Sequence, residues 1–187
     1  MKLTFQIQLR SGSEVKDPEP QKLVIAGWNG EMGWHLALKL LAYLVFFEMR
    51  PKIEVGIGWH YKPDLVSLDD RGNVELWVDC GNIAVRKIDR VATKVGTDGR
   101  FFIFKRHSSE TRLLLRALRG KIKRPERLTL VCFDDEFVDH LTELLDGTNE
   151  LRVDRSAESL RLHLKNRHGE QVLESRIHRF SLTDSIK

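Results

Sequence analysis

The stretch "YKPDLVSLDDRGNVELWVDCG", Tyr61 to Gly81, decides how this chain is read. Two runs of β-formers, "PDLVSLD" and "NVELWVD", flank the turn-rich "DRG", which is the signature of a hairpin. If the turn is symmetric about Arg71 and Gly72, paired residues carry numbers that sum to 143, as 64 and 79 do. Asp64 and Asp79 then face each other across the strands with Cβ atoms about 5 Å apart, where like charges repel unless something compensates them. A shared divalent cation would do so, because Mg²⁺ and Mn²⁺ take one or two carboxylates and keep several waters. The alternative makes Asp64 a turn residue after Pro63 and Asp79 a cap for the following helix.

Outward from the hairpin, elements alternate. Upstream, "LTFQIQLR" and "KLVIAG" read as strands joined by the loop "SGSEVKDPEP". A helix follows, N-capped at Asn29, with Leu36, Leu40, Tyr43 or Leu44 and Phe47 at helical spacing, and Pro51 ends it. "IEVGIGW" reads as a further strand. Downstream, "AVRKIDRVATKV" places Val85, Ile88, Ala92 and Val95 on one helical face. "RFFIFKR" is apolar on both faces, as in a central strand, and "SETRLLLRALRG" returns to helix. Strand "RLTLVCF", helix "DDEFVDHLTELL" and strand-like segments near "LRLHLKN" and "RIHRFSL" complete the order. The expected class is α/β, a mixed sheet flanked by helices.

The chain has 187 residues, 41% of them hydrophobic and 31% charged, which suits a single domain over 1–187. Cys80 and Cys132 form no C-x-x-C pair, so neither a disulfide framework nor a zinc knuckle is indicated, and a reducing cytoplasm is the expected compartment. The most apolar run, "HLALKLLAYLVFF", is too short for a membrane span and contains Lys39, and no signal peptide is read at the start. The net charge of +4 is uneven: Lys105 to Arg127 holds nine Lys or Arg against Glu110 and Glu126. Arg112, Arg116 and Arg119 share one side of their helix, a solvated face or a surface for the phosphates of DNA or RNA. No H-E-x-x-H, P-loop, dinucleotide fingerprint or G-x-S-x-G is present.

Helix, then strands bearing "PD" and a second acid near the end of the next strand, then helix and strand, resembles the PD-(D/E)xK nuclease superfamily. "LKLLAYL", Leu38 to Leu44, and "ELWVDCG", Glu75 to Gly81, followed by "RKIDR", resemble the YaeQ family. The resemblance implies a restriction-endonuclease-like core over about residues 30–106 and a Mg²⁺- or Mn²⁺-dependent phosphodiesterase acting on nucleic acid. It implies metal ligation by Asp64, Asp79 and the Cys80 carbonyl, with Glu31 as the acid on the first helix. In the first turn, Glu31 also suits the helix macrodipole without any catalytic duty. The motif lysine is replaced by Gly81. Lys87, about 100° from Ile88 on the next helix, is the substitute expected to act on phosphate, or else a solvated lysine. Without such a substitute, the fold implies a binding or regulatory protein that does not turn over.

Overall fold

The computed structural model describes residues 1–11, 19–28 and 30–183. Most of the loop expected over Ser11 to Pro20, and the expected N-cap Asn29, lie outside these.

The strands are β1 (Lys2–Ser11), β2 (Gln21–Ala26), β3 (Lys52–Ile53), β4 (Leu65–Leu68), β5 (Val74–Cys80), β6 (Arg100–Phe104), β7 (Leu128–Phe133), β8 (Thr148–Arg155), β9 (Ser159–Asn166) and β10 (Gly169–Ser181). The helices are α1 (Gly33–Val45), α2 (Val85–Lys94), α3 (Ser108–Leu118) and α4 (Phe137–Leu144). The strands join one sheet in the order β2-β1-β8-β9-β10-β7-β6-β5-β4-β3. Among the described residues only β1 with β8, β5 with β6 and β6 with β7 pair in parallel. The fold is thus mixed α/β, a large and mostly antiparallel sheet, nearly barrel-shaped, with helices against it.

Side-chain alternation in β6 shows how the layers form. Phe102 and Phe104 join the core beneath α1, while Phe101 and Ile103 join a second core with Ile88 and Val91 of α2 and Leu115 and Leu118 of α3. A strand apolar on both faces needs cover on both, and β6 lies between β5 and β7 as its composition implies. The parallel steps β5 to β6 and β6 to β7 are made by α2 and α3, the crossovers that parallel pairing requires.

The sheet curls around α1. Residues 36 to 42, Leu44 and Val45 of this helix are all buried, on nearly every side, so its partners surround it. It touches β2 near one edge of the sheet and β4 near the other. From β8, the Arg155 guanidinium donates to the Leu44 carbonyl (3.4 Å) and to that of Val45, satisfying two orphan groups at the helix end. Strands β8 and β9 alternate strictly between buried and exposed residues. Their inward side chains, among them Leu151, Val153 and Leu162, extend the α1 core.

Two readings of the sequence change here. In "IEVGIGW" only Ile53 pairs, because Glu54 takes a positive φ of 52° and leaves the ladder. Ile57 and Trp59 cover the second core instead, with Trp59 stacked on Trp77 at 5.1 Å. Strand β8, "TNELRVDR", is an element beyond those expected from the sequence. No helix among the described residues is long and apolar enough to cross a membrane.

Candidate functional site

Beyond the turn the β4–β5 pairing has the expected register, with Leu65 opposite Val78, Val66 opposite Trp77 and Ser67 opposite Leu76, but the pair that closes the turn, Leu68 with Val74, is one residue off it, so the turn is not symmetric about Arg71 and Gly72. A bulge follows Ser67, toward the turn and away from the acids. Asp64 lies one residue before β4, outside the paired residues, and donates its N–H to the Val78 carbonyl at 3.0 Å, which places it beside the end of β5 where Asp79 sits.

There the two carboxylates part. Asp64 Oδ2 accepts the Cys80 N–H at 2.7 Å and lies 3.6 Å from His35 Nε2, while Oδ1 lies 3.7 Å from Lys39 Nζ; both cations belong to α1. Asp79, only 1% exposed, instead accepts from Lys87 Nζ of α2 at 3.0 Å. Trp77 and Asp79 share the α2 face, and the Trp77 Nε1 and Asp79 Oδ2 atoms are buried without a hydrogen-bond partner.

Lys39 is the centre of the α1 side. It is fully buried, and Nζ donates to Glu31 Oε1 at 2.5 Å and to Glu54. Glu31 Oε1 also meets His35 Nδ1 at 2.5 Å, and its Oε2 accepts the Trp28 N–H at 3.3 Å. His35 Nε2 reaches the Cys80 carbonyl at 3.2 Å. Both imidazole nitrogens therefore face acceptors, the arrangement that favours the doubly protonated ring.

The proton affinities follow. Burial alone would lower His35, but Asp64 and Glu31 raise it above the ordinary histidine value. Burial would likewise lower Lys39, and its bonds to Glu31 and Glu54 with the charge of Asp64 raise it. For Asp64, burial acts upward and is outweighed by His35, the Cys80 N–H and Lys39, so its carboxyl falls below the usual range. Asp79 goes the other way: burial raises it to about 6, against the pull of Lys87. Burial also holds the Cys80 thiol well above its ordinary value.

Glu31 precedes α1, whose first turn contains no acid, so ion pairing rather than the macrodipole is its local role. Gly81 has a φ of +74°, and a Cβ placed there would come within 3.1 Å of the Trp34 ring. Trp34 therefore occupies the space into which a lysine at 81 would project, on a backbone that disfavours any L side chain. Lys105, buried behind this turn, holds it by donating to the Gly81 carbonyl (3.0 Å) and Asn82 Oδ1 (2.8 Å).

Glu31, Asp64, Cys80 and Lys87 line one cleft of about 970 Å³, with Trp28, Met32, Trp34, His35, Glu54 and Lys62. Asp79 lies behind its wall. Arg112 and Arg116 are exposed on α3, Arg119 is exposed just past its end, where the backbone has left the helix, and none of the three lines this cleft. The oxygens of Asp64, Glu31 and the Cys80 carbonyl are the hard donors that Mg²⁺ prefers. In this arrangement they are held by Lys39 and His35, and among the described residues no group of three His, Cys, Asp or Glu side chains could hold a metal ion.

His35, Lys39, Glu54 and Trp34 were not singled out from sequence. Glu31, His35 and Lys39 are spaced at i, i+4 and i+8, which aligns them along a single helical stripe and was the available signal.

The sequence model of the YaeQ protein family matches residues 13–172. No curated protein matches the chain. Solved structures that share its fold include two YaeQ proteins. The YaeQ protein from Xanthomonas axonopodis pv. citri superposes with a TM-score of 0.74 at 17% identity, covering 95% of this chain and 97% of that one. The YaeQ protein from Pseudomonas syringae gives 0.71 at 16% identity, covering 96% and 95%. With its sequence matched over most of its length and its sheet and helices superposable on both, this chain belongs to the YaeQ family.

Proposed function

We propose that the cleft is the site of a phosphodiesterase acting on nucleic acid, with a PD-(D/E)xK-like core formed by α1, β4, β5, α2 and β6. The observation that carries this reading is Lys87: it reaches back from the helix after β5 to within 3.0 Å of Asp79, supplying a lysine beside the second acid although Gly81 cannot.

Asp64 and the Cys80 carbonyl would hold Mg²⁺ or Mn²⁺, with Glu31 beside them, and the ion would supply charge for an oxyanion and an acidified water. For that, His35 and Lys39 must yield the oxygens they now hold. Lys87 and Lys62, on the cleft wall, neutralise a bound phosphate. Arg112, Arg116 and Arg119, outside the cleft, draw in the polyanion through the field of the basic segment.

The test is a labelled oligonucleotide incubated with Mg²⁺ or Mn²⁺, together with melting curves in the same ions. Cleavage that Lys87→Ala and Asp64→Asn suppress, and a metal-induced rise in Tm that Asp64→Asn removes, are the expected results. A protein that neither cuts nor gains stability in millimolar metal removes this reading. Changing the three arginines to Gln should weaken nucleic-acid binding and flatten its salt dependence while the fold stays intact.

A further inference from the structure

The walls of the cleft are unlike one another. Trp28 is 70% exposed and Met32 60% exposed, both on the cleft and both among the most exposed large apolar side chains of the described residues. Trp34 and Ile83, each partly buried, continue this wall. Lys62 and Lys87 belong to the same cleft, with Lys87 Nζ 3.4 Å from the Lys62 carbonyl.

Large apolar side chains gathered at a cleft mouth mark a binding surface more often than chance exposure. Here they adjoin Lys62 and Lys87, which pair with Glu54 at 3.4 Å and Asp79 at 3.0 Å in a cleft that Glu31 and Asp64 also line, so an occupant that uses these lysines has a flat apolar part and an anionic part that competes with those carboxylates. Trp34 is fixed in place: its ring lies over Gly81, meets His35 edge-on at 5.6 Å, and has the Arg106 guanidinium 5.6 Å from its centroid. Trp28 is anchored by its backbone N–H, which donates to Glu31, while its indole stays open to solvent.

We infer that this apolar wall is a stacking platform for an unpaired nucleobase, so that nucleic acid enters the cleft as a single strand with its phosphate on Lys62 and Lys87. In a duplex the base faces are already stacked on their neighbours and the edges paired, leaving nothing for Trp28 to cover. In a single strand the faces are free, and aromatic side chains hold them with little regard to sequence. The inference rests on the proposed function for the polymer it names, but it is a statement about binding.

The experiment measures binding without metal, so that it stands apart from cleavage. A fluorescent oligothymidylate and a blunt DNA hairpin of similar length, closed by a polyethylene glycol linker instead of unpaired nucleotides, are titrated by anisotropy in EDTA at low salt, with the parent, Trp28→Ala, Trp28→Phe and Lys62→Ala. The single strand should bind more tightly than the hairpin. Trp28→Ala should weaken single-strand binding about 5- to 100-fold, Trp28→Phe should retain most of it, and Lys62→Ala should weaken it with a shallower salt dependence. As Trp28 is exposed, folding of these variants is checked simply by their unchanged melting. Equal or tighter binding of the hairpin, indifference to Trp28→Ala, or no binding of either probe overturns the inference. Single-strand binding through Trp28 without any cleavage in Mg²⁺ upholds it and overturns the phosphodiesterase. Cleavage of duplex that ignores Trp28 does the reverse.

Discussion

Asp79 sits near the end of β5 and Asp64 beside it, just before β4, yet their surroundings set them apart. Asp64 faces α1, where Lys39, His35 and a backbone N–H hold it ionised and push its carboxyl below the ordinary value. Asp79 faces α2 and is more deeply buried, and that burial raises its carboxyl to about 6 against the pull of Lys87. The difference teaches that cross-strand register alone does not make two acids share a ligand. Asp64 precedes β4, outside the regular alternation, and so can turn its carboxylate to the opposite side of the sheet.

The sharpest way to break this contrast is to remove the charge that maintains the Asp64 side. Lys39→Met leaves Glu31, Glu54 and Asp64 without their shared buried cation and should cost about 3–5 kcal/mol, read by urea denaturation at neutral pH. A loss smaller than 1 kcal/mol would mean that water, rather than Lys39, compensates these acids.

Neutralising each aspartate in turn should give opposite signs. Asp64→Asn should destabilise by about 1–3 kcal/mol near pH 7, since it weakens charge-assisted contacts. Because Asp64 is lowered in the folded state, its contribution is present above the unfolded value of a carboxyl and is lost as pH falls through the folded value, below about 4. Asp79 is raised, so between about pH 4 and 6 the folded state binds the extra proton and stability declines as pH rises. Asp79→Asn should remove that decline and, above pH 6, match or exceed the parent by up to about 3 kcal/mol. Denaturation of both variants across pH 4 to 8 checks this; two equal losses would abolish the distinction.

Lys87→Ala sharpens the comparison from the other side. Without its cation, the Asp79 carboxyl should titrate about one pH unit higher, followed by carboxyl NMR shifts, while the Asp64 resonance should barely move. A smaller effect is expected for His35→Gln. The raised imidazolium contributes stability that is fully present below the unfolded histidine value and is lost as pH rises through the folded one. The variant should therefore lose more near pH 5.5 than near pH 8.5, by about 1 kcal/mol.

Much of the fold was legible because it depended on local rules. The hairpin was legible from its turn residues, although a bulge after Ser67 rather than a symmetric turn sets the register from Leu65 to Ser67, and the two-sided apolarity of Phe101 to Phe104 placed β6 within the sheet. Strand β8 was hidden by its composition: Glu150, Arg152 and Asp154 alternate with only two large apolar residues, Leu151 and Val153, and β-propensity is weak evidence when every second residue is charged. "IEVGIGW" misled in the opposite sense, with an apolar alternation that Gly56, Gly58 and the positive φ of Glu54 interrupt. Motif and helical angle draw attention to Asp64 and Lys87, which line the cleft, and to Asp79, which does not. Lys39 could not be understood from the sequence, because a lysine in an apolar helix gains its meaning from Glu54 and Asp64, which arrive from other parts of the chain.

The parallel pairing of β1 with β8 bears on how the chain is made. Thr4 pairs with Thr148, and the carbonyls ending α1 wait for Arg155. At about 5–20 residues per second, a translating ribosome needs on the order of ten seconds to deliver those partners. During that interval one edge of β1 is open, and Phe5 and Ile7 have no completed interior to enter. Newly synthesised chains are therefore expected to depend on chaperones until β8 emerges, a burden absent from an up-and-down sheet in which each strand meets its neighbours in the order of synthesis.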